Sequence, residues 1–161
     1  MSSEPTGGGK SRYLLDTSAL LTFSGDEPGA DAVGILLAKG RRGEVQLYMS
    51  FLSVMEAGYK AYQARGEDGL ATLLASLQHL PITRVDVSDE LIALAARMKG
   101  MYRMSLADAW ILATAKQLNA ILIHKDPEFE QAAAEVQLQP LPYRSLDSHH
   151  GLRPWTRSGF R

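Results

Sequence analysis

No cysteine occurs among the 161 residues. That removes disulfides, thiolate zinc sites and a cysteine nucleophile, and it is compatible with a reducing cytoplasm as the expected location. A basic excess is missing as well, because the net charge is −1. The chain therefore does not bind duplex nucleic acid by global phosphate neutralisation, and any such contact must be local. No window approaches the roughly 20 apolar residues of a membrane-spanning helix, since charges or glycines interrupt every apolar run, so a soluble protein with no membrane partner is expected. There is also no Walker loop, no G-x-G-x-x-G and no G-x-S-x-G, which leaves nucleotide-driven, dinucleotide and serine-hydrolase chemistries without local support.

What is present fits one compact domain, at 45% hydrophobic and 22% charged residues, with a sizeable core. Residues 1–12 are rich in Ser and Gly, lack the apolar run of a signal peptide, and read as a flexible leader. Residues 13–143 carry the periodic pattern. Residues 144–161 lose that periodicity and read as an Arg-rich tail, with Arg144, Arg153, Arg157 and Arg161 interleaved with Trp155 and Phe160 just beyond Tyr143. That tail and the group Lys39, Arg41 and Arg42 are the two places where a local basic contact is available, although a solvated surface accounts for both.

Within 13–143, short apolar runs alternate with amphipathic segments. Strands are expected at Tyr13–Leu15, Val45–Met49, Ile82–Val87, Ala120–Ile123 and near Val136–Leu141. Helices are expected after Thr17, over Ala30–Ala38, after Ser50 as far as Gly66, over Leu70–Leu77, after Ser88, after Ser105 and over Glu128–Glu135. Such alternation predicts an α/β domain with a parallel sheet.

Four acids fall at the junctions of this pattern. Asp16 closes the first strand and Asp126 the fourth, while Glu56 and Asp108 lie in the opening turns of helices that start at the same rim. In open parallel sheets, ligands bind beyond the carboxyl ends of the strands. Clustered carboxylates repel one another and are tolerated mainly around a hard divalent cation, so Mg²⁺ or Mn²⁺ is the expected cofactor. Carboxylates around such a metal suit phosphodiester hydrolysis without any nucleophilic side chain. Each acid also has a plainer explanation. Ser53-x-x-Glu56 and Ser105-x-x-Asp108 match capping boxes, Asp16 matches an N-cap, and Asp126 before Pro127 matches a turn residue. Asp108 tips the balance, because it is the single charge in an apolar stretch from Leu106 to Ala115 and such an acid is costly to bury unpaired. The four histidines, His79, His124, His149 and His150, lack metal-ligand spacing and read as surface or structural residues.

The run Leu15-Asp16-Thr17-Ser18-Ala19-Leu20, then Glu56, then Leu106-Ala107-Asp108-Ala109-Trp110, then Asp126 resembles the PIN-domain family, in particular VapC-type toxins of bacterial toxin–antitoxin pairs. The resemblance implies a three-layer α/β/α sandwich around the parallel sheet. It also implies Mg²⁺- or Mn²⁺-dependent endoribonuclease activity on an RNA substrate, a homodimer, and inhibition by a cognate antitoxin protein. Carried over by position, Asp16, Glu56, Asp108 and Asp126 match the catalytic, metal-binding acids, and Ser18 matches a polar residue lining the pocket. One departure stands out: His124 occupies a position that often holds Thr or Ser in the family. A non-catalytic interaction module on the same fold, or a housekeeping RNA-processing nuclease, would share these motifs.

Overall fold

The protein is described by a computed structural model over residues 9–142. The leader before residue 9 and the tail from residue 143, with its arginines, Trp155, Phe160, His149 and His150, lie outside the described residues. Elements follow in the order β1 (Arg12–Leu15), α1 (Thr17–Ser24), α2 (Ala30–Arg41), β2 (Gln46–Ser50), α3 (Phe51–Gln78), β3 (Ile82–Val85), α4 (Asp89–Met101), α5 (Leu106–Leu118) and β4 (Ile121–His124). A 3₁₀ turn over Pro127–Ala132 and β5 (Leu138–Pro140) complete the series.

The five strands form one sheet in the order β3-β2-β1-β4-β5, and every pairing is parallel. The first half of the chain builds outward from β1 to β3, and the second half returns to place β4 on the other side of β1. The β1/β4 junction is therefore the topological switch point, where the loops leave in opposite directions and open a crevice.

Period-two alternation sorts the central strands onto two faces. Leu14 and Leu122 are in register and bury against Leu91, Met98, Leu112 and Phe129 from α4, α5 and the 3₁₀ turn. Their neighbours Leu15 and Ile123, also in register, bury against Val33, Leu36 and Leu37 of α2 and Ala19 and Leu20 of α1. Two apolar layers on one sheet make the α/β/α sandwich that the family resemblance implies.

Some boundaries differ from the sequence expectation. The two helices anticipated on either side of Gly66 form one element, α3, broken at Gly66 by a non-helical backbone (φ 62, ψ −149). This conformation lies in a region that is essentially restricted to glycine. The arms stay close because Gly69 has no side chain: a Cβ there would sit 2.4 Å from the Ala61 carbonyl oxygen. The third strand stops at Val85, and the helix expected over Glu128–Glu135 is the shorter 3₁₀ turn. Among the described residues, no helix is long and apolar enough to cross a membrane.

Candidate metal centre

Asp16 sits at the switch point. Its amide donates to the Ile123 carbonyl at 3.0 Å, and its own carbonyl accepts from the amides of Ala19 and Leu20 as α1 begins. It occupies the N-cap position, yet its side chain makes no capping bond. The carboxylate is directed instead to Ser18, whose hydroxyl donates to Oδ2 at 2.7 Å. The same Ser18 oxygen accepts the Lys125 amide at 3.1 Å, so one hydroxyl links the loop after β4 to the acid after β1. Only 8% of Asp16 is exposed. Burial raises its pKa from 3.8 to about 6, against the pull of the Ser18 hydroxyl and the Thr17 amide, and the charges of Glu56 and Asp108 push it further up. Asp16, Glu56 and Asp108 are thus close enough to share an electrostatic environment.

The tightest grouping lies beside it. One carboxylate oxygen from each of Asp108, Asp126 and Glu128 lies within 4.8 Å of the other two. Asp126 caps the 3₁₀ turn, its Oδ1 accepting the Glu128 amide at 2.9 Å, as its reading as a turn residue anticipated. Asp108 forms only half of the expected capping box: its amide donates to Ser105 Oγ at 3.0 Å, while its Oδ2 accepts from the Ser105 hydroxyl at 2.8 Å rather than from the Ser105 amide. Capping does not remove either acid from the rim, because each carboxylate has lone pairs to spare. The premise that Asp108 lies deep in an apolar helix needs correction. Leu106 is 76% exposed, so the first turn of α5 stands at the rim and Asp108 is half-buried.

Glu56 stands apart from this trio. The N-cap of α3 is Ser50, which accepts the Leu52 amide, so Glu56 lies in the second turn and the expected Ser53 capping box does not form. Its carboxylate pairs with Lys60 at 3.0 Å, a half-exposed i,i+4 pair of small energetic weight.

Glu128 was not singled out from the sequence, where it marks only the start of a short helix. The available signal was its position two residues after Asp126 across Pro127. A capping acid, a proline at the first position and an acid at the next bring two carboxylates onto one side of a single turn. The charge of Asp126 raises the pKa of Glu128 above the usual range, with desolvation and Asp108 adding to the rise. His124 is directed elsewhere. It is fully buried, stacks edge-on against Phe129, and has no hydrogen-bond partner on either ring nitrogen. Its burial lowers its pKa, so the ring packs as a neutral core residue, in keeping with a structural role.

Asp108, Asp126 and Glu128, with Asp16 adjoining, present oxygen donors only. Such a set fits a hard divalent cation and does not suit a thiophilic metal. The chain is therefore an open parallel α/β domain with an acidic rim at its switch point. The PIN domain family model matches residues 13–135, and the chain belongs to that family. No curated protein sequence matches it. Among solved structures, it resembles VapBC2 of Rickettsia felis bound to a DNA fragment from its promoter, with 15% identity over 81% of this chain and 99% of the other and a TM-score of 0.66. It also resembles VapBC-1 of nontypeable Haemophilus influenzae, at 21% identity over 80% and 97% with a TM-score of 0.62. A third likeness is VapC20 of Mycobacterium tuberculosis, a toxin that cleaves the sarcin-ricin loop, at 16% identity over 80% and 99% with a TM-score of 0.59. At these identities the likeness establishes the fold.

Proposed function

We propose that this protein is a Mg²⁺- or Mn²⁺-dependent endoribonuclease acting in the cytoplasm as the toxin of a toxin–antitoxin pair. The observation that carries the reading is the convergence of Asp108, Asp126 and Glu128 within 4.8 Å beside the buried Asp16 at the β1/β4 switch point. Asp16, Asp108, Asp126 and Glu128 hold the cation, and Glu56 contributes charge that reaches Asp16. When bound, the metal supplies an activated water and neutralises charge on the attacked phosphate. The chain's own part is to aim the carboxylates. Ser18 orients Asp16, Ser105 orients Asp108, and the 3₁₀ turn presents Asp126 and Glu128 together.

Partners follow from the surface as well as the site. An apolar groove of about 970 Å³ runs between the arms of α3 and the end of β3, lined by Phe51, Met55, Tyr59, Tyr62, Leu74 and Val87. Its exposed apolar walls support a protein partner, namely a cognate antitoxin or a second copy in a homodimer. The same groove favours the second reading, a PIN-like interaction module without catalysis. Cleavage of a mixed RNA pool with Mg²⁺, Mn²⁺ or EDTA, comparing the native protein with Asp16→Asn, separates the two. Metal-dependent cleavage lost in the variant is expected, and no cleavage under any condition moves the reading to the interaction module.

A further inference from the structure

The three converging carboxylates come from two separate segments. Asp108 belongs to α5, and Asp126 and Glu128 belong to the 3₁₀ turn after β4. Like charges this close drive their segments apart, more so before any cation neutralises them. Several side chains span the gap: Tyr102 and Lys116 both reach Glu135, and Gln131 binds main-chain groups on both sides. Gln131 Oε1 accepts the Arg103 amide at 3.0 Å, and Gln131 Nε2 donates to the Arg103 carbonyl at 2.8 Å and to the Glu128 carbonyl at 2.8 Å. The paired bonds to Arg103 reproduce the exchange between two facing residues of an antiparallel ladder.

We propose that Gln131 is a positioning residue of the metal centre, its side-chain amide setting the distance between Asp108 and the Asp126–Glu128 pair. This rests on reading the carboxylates as a metal centre. The path of constraint is short on both sides. Arg103 lies two residues before Ser105, whose hydroxyl holds the Asp108 carboxylate. Glu128, whose carbonyl Gln131 grips, donates its own amide to Asp126. A neutral amide suits this place, because it offers one acceptor and two donors to three main-chain groups without adding charge to an acidic rim. Gln131 is exposed and packs in neither apolar layer, so the hydrophobic core does not depend on it. An Arg or Lys here would neutralise the acids, and a Glu would lose both donor bonds.

The test compares the full-length protein with Gln131→Met, which keeps the length of the side chain and removes all three bonds. Mn²⁺ binding is followed by titration calorimetry, exchange of the Arg103 amide by hydrogen–deuterium exchange, and folding by thermal melting. The expected result is faster Arg103 exchange and a Mn²⁺ Kd raised about ten-fold, the scale on which supporting residues act on metal sites, with the melting midpoint nearly unchanged. In RNA cleavage, the loss at low Mn²⁺ is recovered at excess Mn²⁺ with KM for RNA unaltered. A purely structural role would instead lower the midpoint and leave metal affinity alone. Mn²⁺ affinity within two-fold of the native protein overturns the proposal while leaving the metal centre standing. Unchanged Arg103 exchange overturns it too, since the clamp would then not exist. Native protein that binds no Mn²⁺ overturns the metal-centre reading itself, and the proposal with it.

Discussion

Replacing Asp16 by Asn is expected to stabilise the metal-free protein while abolishing its metal response. The magnitude follows from the pKa of about 6 for a group whose ordinary value is 3.8. A folded pKa above the unfolded one means that the unfolded state releases its proton first, so stability falls as pH rises between the two values and stays lower above them. At about 1.4 kcal/mol per unit, the ionised carboxylate costs the folded state up to ~3 kcal/mol at neutral pH. Asparagine keeps an oxygen to accept from Ser18 and carries no charge, so a gain of roughly 1–3 kcal/mol is expected at pH 8, or a rise in melting temperature of roughly 3–9 °C. At pH 4 the native Asp16 is protonated and the two proteins converge. Urea unfolding in EDTA at both pH values measures this directly. Adding Mn²⁺ should then reverse the order, because only the native protein gains from binding. A variant no more stable than the native protein at pH 8 in EDTA would refute the reasoning, as it would show that the buried carboxylate carries no electrostatic cost.

Mn²⁺ affinity should weaken as pH falls from 7 through about 6, because protonation of Asp16 competes with metal; calorimetry at two pH values decides it. Glu128→Gln should weaken Mn²⁺ binding and cleavage by at least the ten-fold expected of an altered metal site, with the fold intact by circular dichroism. Ser105→Ala should cost ~1 kcal/mol as a lost helix cap and also lower metal affinity, since Asp108 loses the hydroxyl bonded to its Oδ2. Gly66→Ala should cost roughly 1–3 kcal/mol in urea unfolding. The site has open space for a Cβ, so the whole effect comes from the positive φ.

The layout of the fold was legible because burial forces a period on the sequence. Leu14, Leu15, Leu122 and Ile123 are apolar without alternation since both faces of a central strand are covered. Helix starts were equally legible at Ser88 and Ser105, where the hydroxyl accepts the expected amide. The break at Gly66 was placed correctly but its consequence was not. A lone glycine marks a departure from helical backbone without saying whether the chain turns away or doubles back.

The sequence alone determined the order of elements, the parallel sheet and the rim on which Asp16 and Asp126 would fall, because these depend on local propensity and on the alternation of short apolar runs. The closeness of the acids was decided by tertiary structure. Glu128 joined Asp108 and Asp126 because a capped 3₁₀ turn faced the start of α5, while Glu56, in the second turn of α3, pairs with Lys60 and still lends its charge to Asp16. Distances between side chains on separate segments depend on how two surfaces pack, and no local pattern encodes that. His124 shows the same limit: from sequence it read only as a surface or structural residue, and packing against Phe129 put it inside.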